Sequence, residues 1–231
     1  MNKVFASADE AVADIRDGAS VMIGGFGLCG IPENLIAALV RNGARNLTTI
    51  SNNVGVQGFG VGLLLRSKQI RKHVGTFMGD NLLLQEMLRR SEIELEVVPQ
   101  GTFIERIRAA GAGIAAFYTP TGVGTLVEEK KEARQFDGRT CLLEAALRAD
   151  FALVKAWQGD PWGNLVYRKT ARNFNPEMAT AARITIAEVE QLVKLGELPP
   201  DKIHTPGLFV QRIIVGAGYE KRIEKRTVRA C

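Results

Sequence analysis

The 231 residues predict an α/β fold: an open, mainly parallel sheet with flanking helices. Three observations lead there. Short β-branched and apolar runs alternate with amphipathic stretches through the first 130 residues. A glycine-dense loop joins the first clear strand signal to the first clear helix signal. Hydrophobic residues make up 46% and charged residues 24%, values of a globular core and surface. No linker, repeat or low-complexity segment divides the chain, so residues 1–231 read as one domain.

A helix signal spans 7–16 and opens on Ser7, whose hydroxyl suits an N-cap. A strand follows at 19–24, around Ser20-Val21-Met22-Ile23. Pro32 then suits a first helical turn, where a missing N–H costs nothing. The helix runs over 32–41, with Leu35, Ile36, Leu39 and Val40 on one face, and stops at Asn42-Gly43, a pair suited to a left-handed cap. Strands at 47–51, 70–74, 93–98 and 114–118 alternate with helices at 59–66, 81–90 and 102–109. In the last helix Thr102-Phe103-Ile104-Glu105 reads as a capping box. Beyond residue 130 come a buried strand at 150–156, a turn at 159–164, a returning strand at 165–168, and strands at 184–189 and 209–215. Thr121-Gly122-Val123-Gly124-Thr125 reads as a mobile loop leading into a solvated charge run, Glu128 to Glu132.

The formal net charge is +5 and the pI about 9.2, with much of the excess in the tail from Lys221 to Arg229. That tail lacks aromatic interleaving and carries Glu220 and Glu224, so a solvated end or a contact between chains suits it better than a nucleic-acid arm. A basic surface also speeds the arrival of a ligand carrying several phosphates. No run of about 18 apolar residues predicts a membrane span. The first residues pass directly into the Ser7 helix signal, leaving no room for a signal peptide, so a cytoplasmic location is expected. Cys29, Cys141 and Cys231 lack metal-type spacing and cannot all pair, which fits a reducing compartment and no metal site. Cys29 invites a nucleophile reading, but sequence places neither His73 nor His204 to activate it, and a small buried thiol is the better account.

The loop itself is Gly24-Gly25-Phe26-Gly27-Leu28-Cys29-Gly30-Ile31-Pro32. Removing side chains where a strand meets a helix N-terminus lets backbone N–H groups approach an anion or a developing oxyanion. Residues 25–30 form a G-x-G-x-x-G, so a dinucleotide fold must be weighed. That fold places its third glycine inside the helix and wants an acidic residue after the second strand. Here Pro32 starts the helix after Gly30, and the second strand runs into Ser51-Asn52-Asn53. A turn with no ligand is the plainer alternative. Gln100, Asn52 and Asn53 follow strands, as the loop does, and so gather at the carboxyl edge of the sheet, where open α/β folds bind ligands. Ordinary turn chemistry could also account for the asparagines.

Asp17-Gly18, an apolar run, Gly24-Gly25-Phe26 and Gly30-x-Pro32 together resemble a signature of the 3-oxoacid coenzyme A transferases, in their A (alpha) subunit. The resemblance continues in order through Ser51-Asn52-Asn53, Pro99-Gln100-Gly101-Thr102, Thr119 to Thr125, Gly163-Asn164-Leu165, Ala171-Arg172-Asn173-Phe174-Asn175-Pro176 and His204-Thr205-Pro206-Gly207. It implies a CoA-transferase type of α/β domain that helps move coenzyme A from succinyl-CoA to a 3-oxo acid. It also implies that Gly24, Gly25, Phe26, Gly27, Leu28, Cys29 and Gly30 contact coenzyme A. Gln100 and Asn52 would hydrogen-bond the bound carboxylate or the glutamyl adduct.

The nucleophile of that reaction is a glutamate that takes the acyl group as an anhydride and then holds coenzyme A as a thioester. In the family it lies in a Ser-Glu-Asn-Gly segment of the B (beta) subunit. No such segment occurs here: Ser91-Glu92 continues as Ile93-Glu94. Glu33 suits a helix first turn, Glu94 an exposed strand face and Glu105 the capping box. The resemblance thus implies half an active site with no catalytic residue of its own, completed by a B subunit in an assembly of two A and two B chains. Coenzyme A thioester would be a substrate, with no tightly bound cofactor, metal, nucleic acid or membrane.

Phe77-Met78-Gly79-Asp80-Asn81 and Gly27-Leu28-Cys29-Gly30 resemble the type that serves acetoacetate, the favoured acceptor. Gly159 to Tyr167 is similar to the 3-oxoadipate type, and a butyrate/acetate type also exists in the family. An NAD-dependent oxidoreductase and a non-catalytic scaffold remain as other classes. Gly25→Val is expected to abolish coenzyme A binding with little loss of fold.

Overall fold

The computed structural model describes residues 2–79 and 81–223. Asp80, the tail residues from Glu224 through Arg229, and Cys231 lie outside the described residues, so the readings placed on them find no structural counterpart.

In chain order the elements are α1 (Ala8–Ala11), β1 (Ser20–Ile23), α2 (Glu33–Asn42), β2 (Leu47–Ile50), α3 (Gly62–Arg66), β3 (Ile70–Gly75), α4 (Leu82–Arg89), β4 (Glu94–Val97) and α5 (Gln100–Gly111). There follow β5 (Ala116–Thr119), β6 (Ala133–Phe136), β7 (Arg139–Ala145), β8 (Ala149–Gly159), β9 (Leu165–Val166), α6 (Asn175–Thr180), β10 (Ala182–Leu192) and β11 (Arg212–Val215). Seven strands run parallel in the order β11-β10-β8-β1-β2-β3-β4, and β9 pairs antiparallel with the end of β8.

One face of this sheet buries Val21, Ile23, Phe151 and Leu153 against Leu35, Ile36 and Leu39 of α2, Leu64 of α3 and Leu84 of α4. The other buries Met22, Ile50, Ala152 and Val154 against Phe103 and Ile107 of α5 and Met178 of α6. Both faces are covered, so the central strands are apolar in succession rather than alternating. The order of the strands reverses at β1: β2 to β4 extend to one side of it, and β8, β10 and β11 to the other. Ligand crevices of open α/β sheets form at such a reversal, beyond the strand C-termini.

Several expectations need correction. Helix α1 is four residues long rather than 7–16, although Ser7 does cap it by accepting from Glu10 N at 3.1 Å. From Ala13 onward i→i+3 bonds replace helical ones, as Val12 and Ile15 turn into the core. Helix α3 begins at Gly62, because residues 54–61 form a loop. The capping box does not form. Pro99 stands at the N-cap with φ −52° and starts α5 two residues earlier, so Thr102 lies within the helix with its hydroxyl buried and unpartnered. Glu105 instead holds Arg108 at 2.9 Å.

β5 does not extend the parallel sheet; it pairs antiparallel with β7 in a separate sheet ordered β5-β7-β6. The place beside β1 goes to β8, whose apolar stretch suits burial on both faces. The charge run also proves less solvated than expected, since Lys131 pairs at 2.5 Å with Glu144, which is buried.

Candidate functional site

The glycine loop leaves the C-terminus of β1 where the strand order reverses. Gly24 N still pairs with Leu153 O at 2.9 Å, as if the strand continued. Phe26 and Cys29 then exchange two backbone hydrogen bonds, each 2.9 Å, and close a two-residue turn over Gly27 and Leu28. The loop is therefore a fixed miniature hairpin. Among the described residues, the N–H groups of Gly25, Leu28 and Gly30 make no hydrogen bond; Gly25 and Leu28 are buried and Gly30 is half-buried.

Side chains from three other parts of the chain hold this hairpin. Asn52, just after β2, accepts from Gly27 N at 3.2 Å through Oδ1 and donates to Thr76 Oγ1 at 2.7 Å through Nδ2. Asn173 donates to Cys29 O at 2.9 Å. Asn175, fully buried at the start of α6, donates to Gly30 O at 3.0 Å and accepts from Lys155 N at 2.9 Å. The Asn175 amide fills the space above Gly24, where an added Cβ would lie 1.9 Å from Oδ1. Between the two asparagines, Phe174 stacks on Phe26 with centroids 6.2 Å apart and rings 2° from parallel. Phe174 in turn meets Phe103 of α5 edge-on at 5.8 Å. Phe26 remains 49% exposed, an unusual state for a ring in so ordered a loop.

The sequence locates the loop but not its clamp. Asn173 and Asn175 are visible there only as part of a matching block, because nothing local marks asparagines that reach a loop about 145 residues away. Asn52 lies beside the loop as expected, with its amide engaged in holding Gly27. Asn53 turns inward and accepts from Gly55 N at 2.9 Å. Gln100 is the first residue of α5 rather than the end of a strand; it is exposed, and its side chain makes no hydrogen bond among the described residues. It stands one helical turn before Phe103, whose ring meets Phe174, and the structure shows no contact between Gln100 and the loop itself among the described residues.

A residue at 25 would need φ +116°, and its Cβ would meet Ile31 Cγ2 at 2.6 Å. Ile31 is buried, so Gly25→Val would damage packing as well as binding, contrary to the expectation of little loss of fold.

The G-x-G-x-x-G reading fails on geometry: α2 begins at Glu33, leaving Gly30 outside it, and no carboxylate follows β2. Cys29 is half-buried and its sulfur lies 3.4 Å from Thr170 Oγ1. His73 is enclosed in the sheet beside Thr49 Oγ1 at 2.9 Å, and burial pushes its pKa down to about 3. His204 accepts from Tyr167 N at 2.9 Å. Glu33 accepts from Glu220 N and Lys221 N at 2.9 and 3.0 Å, and Glu94 is exposed beside Arg71. Each has a structural engagement away from nucleophilic work. Among the described residues no cluster of three metal-ligating side chains occurs, and no helix is long and apolar enough to cross a membrane.

Beside the loop opens a cleft of about 260 Å³, bounded by Leu28, Cys29 and Gly30 on one wall and by Lys155, Trp157 and Arg168 on another. The loop thus has N–H donors without protein partners, an exposed ring and a cationic cleft at its side. Such a place can hold an acyl or thioester oxygen and stabilise charge that develops there.

A family model described as coenzyme A transferase matches residues 5–216. The chain is 55% identical over 229 residues to the A subunit of the probable succinyl-CoA:3-ketoacid coenzyme A transferase of Bacillus subtilis, covering 99% of this chain and 96% of that one. It is 52% identical over 244 residues to the mitochondrial succinyl-CoA:3-ketoacid coenzyme A transferase 2 of Homo sapiens, covering 98% of this chain and 47% of that protein, or about half its length. Among solved structures, an acyl-CoA transferase apoenzyme from Escherichia coli O157:H7 has the same fold. Its TM-score is 0.83 at 23% identity, over 93% of this chain and 47% of that one.

Proposed function

This chain belongs to the coenzyme A transferase family, and on that premise we propose that it is the A subunit of an enzyme moving coenzyme A from succinyl-CoA to a 3-oxo acid, acetoacetate being the favoured acceptor. The observation that carries the reading is the clamped hairpin at the strand-order reversal, with the N–H groups of Gly25, Leu28 and Gly30 lacking any protein partner among the described residues.

In this reading the B subunit supplies a glutamate that attacks the succinyl-CoA carbonyl, forming an acyl anhydride and releasing the thiolate. The thiolate then attacks the glutamyl carbonyl, expels succinate and leaves a glutamyl-CoA thioester. The 3-oxo acid reverses both steps and departs with coenzyme A. Each tetrahedral stage carries an oxyanion, and preorganised N–H groups stabilise such charge without reorganising. Residues 24–30 supply those donors and contact coenzyme A, while Gln100 and Asn52 face the carboxylate or the glutamyl adduct. For Asn52 this means one amide N–H beyond its bond to Thr76. The working assembly is two A and two B chains, coenzyme A serves as a substrate rather than a resident cofactor, and a reducing cytoplasm suits the free thiols Cys29 and Cys141.

The test is an assay of acetoacetate-dependent succinyl-CoA consumption. The pure chain should be silent and should gain turnover on mixing with a chain of similar length that carries Ser-Glu-Asn-Gly. Turnover by the chain alone overturns the half-site reading. Faster turnover with 3-oxoadipate than with acetoacetate overturns the choice of acceptor.

A further inference from the structure

Helix α2, which carries the glycine loop at its N-terminus, has no cap of its own. Pro32 occupies the N-cap position and offers no side-chain acceptor, yet the first N–H groups of a helix need partners. Glu188 of β10 provides one from across the sheet, to Leu35 N. It is fully buried, its Oε2 accepts from Leu35 N at 2.9 Å, and its Oε1 accepts from Asn34 Nδ2 at 3.1 Å. Only Ile31 and Pro32 separate that turn from Gly30.

The charged and titratable groups around Glu188 come from four directions. Lys155 is its register partner on β8, with Nζ 3.1 Å from Glu190 and 3.9 Å above the Tyr219 ring. Glu190, two residues along β10, also holds Lys221 at 2.9 Å. Tyr219, from the segment after β11, brings a buried hydroxyl that faces the Glu188 carboxylate but falls short of a well-formed hydrogen bond to it. Glu33 of α2 is occupied by backbone N–H groups of 220 and 221. Among the described residues no ion pair reaches Glu188 itself.

We propose that Glu188 is a positioning residue: its ionised carboxylate fixes the first turn of α2, and through it the glycine loop, in the geometry that meets the thioester, while its protonation slackens that turn. The catalytic consequence rests on the transferase reading above. A helix N-terminus favours an anion, and charge-assisted bonds to N–H are about twice as strong as neutral ones. Burial is the main influence on the Glu188 carboxyl and pushes it up to about 7, against the opposing pull of Leu35 N, Asn34, the Tyr219 hydroxyl and the Lys155 charge. The change of state therefore falls near neutral pH. Its sign for stability is opposite to its sign for the site. With the folded value above the ordinary 4.5, the folded chain binds the proton more tightly than the unfolded one. Stability from this group is full below about 4.5, declines as pH rises to about 7 and is lost above.

Glu188→Gln keeps the volume and one acceptor oxygen but cannot ionise. Assembled with the B subunit, the wild type should gain kcat/KM for succinyl-CoA as pH rises through about 7. The variant should lose that limb, with KM at pH 8 raised roughly tenfold and kcat changed less. Its Tm should match the wild type near pH 5 and exceed it at pH 8. A variant that keeps the wild-type pH limb and KM, or falls below the wild-type Tm by the same margin at every pH, overturns the proposal. One measurement needs no variant. The Leu35 amide resonance of the wild-type chain should titrate with a midpoint near 7, and a flat response over pH 5–9 overturns the proposal. Absence of succinyl-CoA turnover by the wild-type pair would instead count against the transferase reading, and the Leu35 titration would still decide the role of Glu188.

Discussion

Asn175 joins two chain segments that no local rule connects. One amide satisfies Gly30 O and Lys155 N and occupies the volume above Gly24. Asn175→Ala should leave those two groups without partners in the interior, at a cost of about 3 kcal/mol in unfolding free energy. It should also weaken coenzyme A binding more than a distant variant of equal instability does. Gly24→Ala should mimic it, since its methyl must displace the same amide. Because the two changes meet at one spot, they should be strongly non-additive: Gly24→Ala should cost much less in the Asn175→Ala background than alone. Denaturant unfolding and calorimetric titration with coenzyme A check both points. Additive losses would show that the amide and the glycine do not share the space.

At the scale of elements, α2 is pinned at both ends by buried side chains from elsewhere. Glu188 holds its first turn, and Gln69 donates to Leu39 O at 2.9 Å and Ala44 O at 3.0 Å beyond its last. Gln69→Leu should leave Ala44 O without a partner and Leu39 O with only the 3.4 Å bond from Gly43 N, and cost about 2 kcal/mol. It should leave the KM for succinyl-CoA unchanged, because ten residues of helix set it about 15 Å from the loop.

The β1–α2 unit is also the most legible part of the sequence. Pro32 before the helix and Gly43 after it, the latter in a left-handed cap at φ +78°, are local signals, and the boundaries fall within a residue of expectation. The loop is legible for the same reason. What escapes is non-local. The destination of β5 depends on β8 claiming the place beside β1. The clamp depends on a segment far along the chain. The β6–β7 hairpin goes unpredicted even though Asp137-Gly138 marks it, with φ of +48° and +75°, the pattern of a type I′ turn. The capping box fails because Pro99 outranks Thr102 as the helix start. An inherited signature locates the loop; only tertiary packing shows that Asn52, Asn173 and Asn175 hold it.

For the whole molecule, two buried titratable groups pull stability in opposite directions. His73 has its value pushed from 6.5 down to about 3 by burial, so below pH 6.5 the unfolded chain takes a proton that the folded chain refuses. Stability from His73 is therefore lost as pH falls from 6.5 toward 3, by at most about 1.4 kcal/mol per pH unit. Glu188 does the reverse between about 7 and 4.5. The two should largely offset each other near pH 5–6, leaving the wild type with a shallow profile there. His73→Gln removes one side of the balance, so its unfolding free energy should rise as pH is lowered from 7.5 to 5.5. A His73→Gln profile parallel to the wild type would refute this assignment.

The strand order also has a consequence for how the chain is made. β1 sits mid-sheet, yet its second neighbour lies 130 residues further on, as the Ser20–Asp150 contact records. A nascent chain can pair its first four strands early, from contacts close in sequence, while one flank of β1 stays bare. That flank, and two of the three asparagines that set the hairpin, Asn173 and Asn175, arrive only with roughly the last third of the polypeptide. The glycine loop is among the first segments to leave the ribosome and among the last to acquire its shape, so a truncated product would expose an unfinished sheet edge beside the loop proposed to meet coenzyme A.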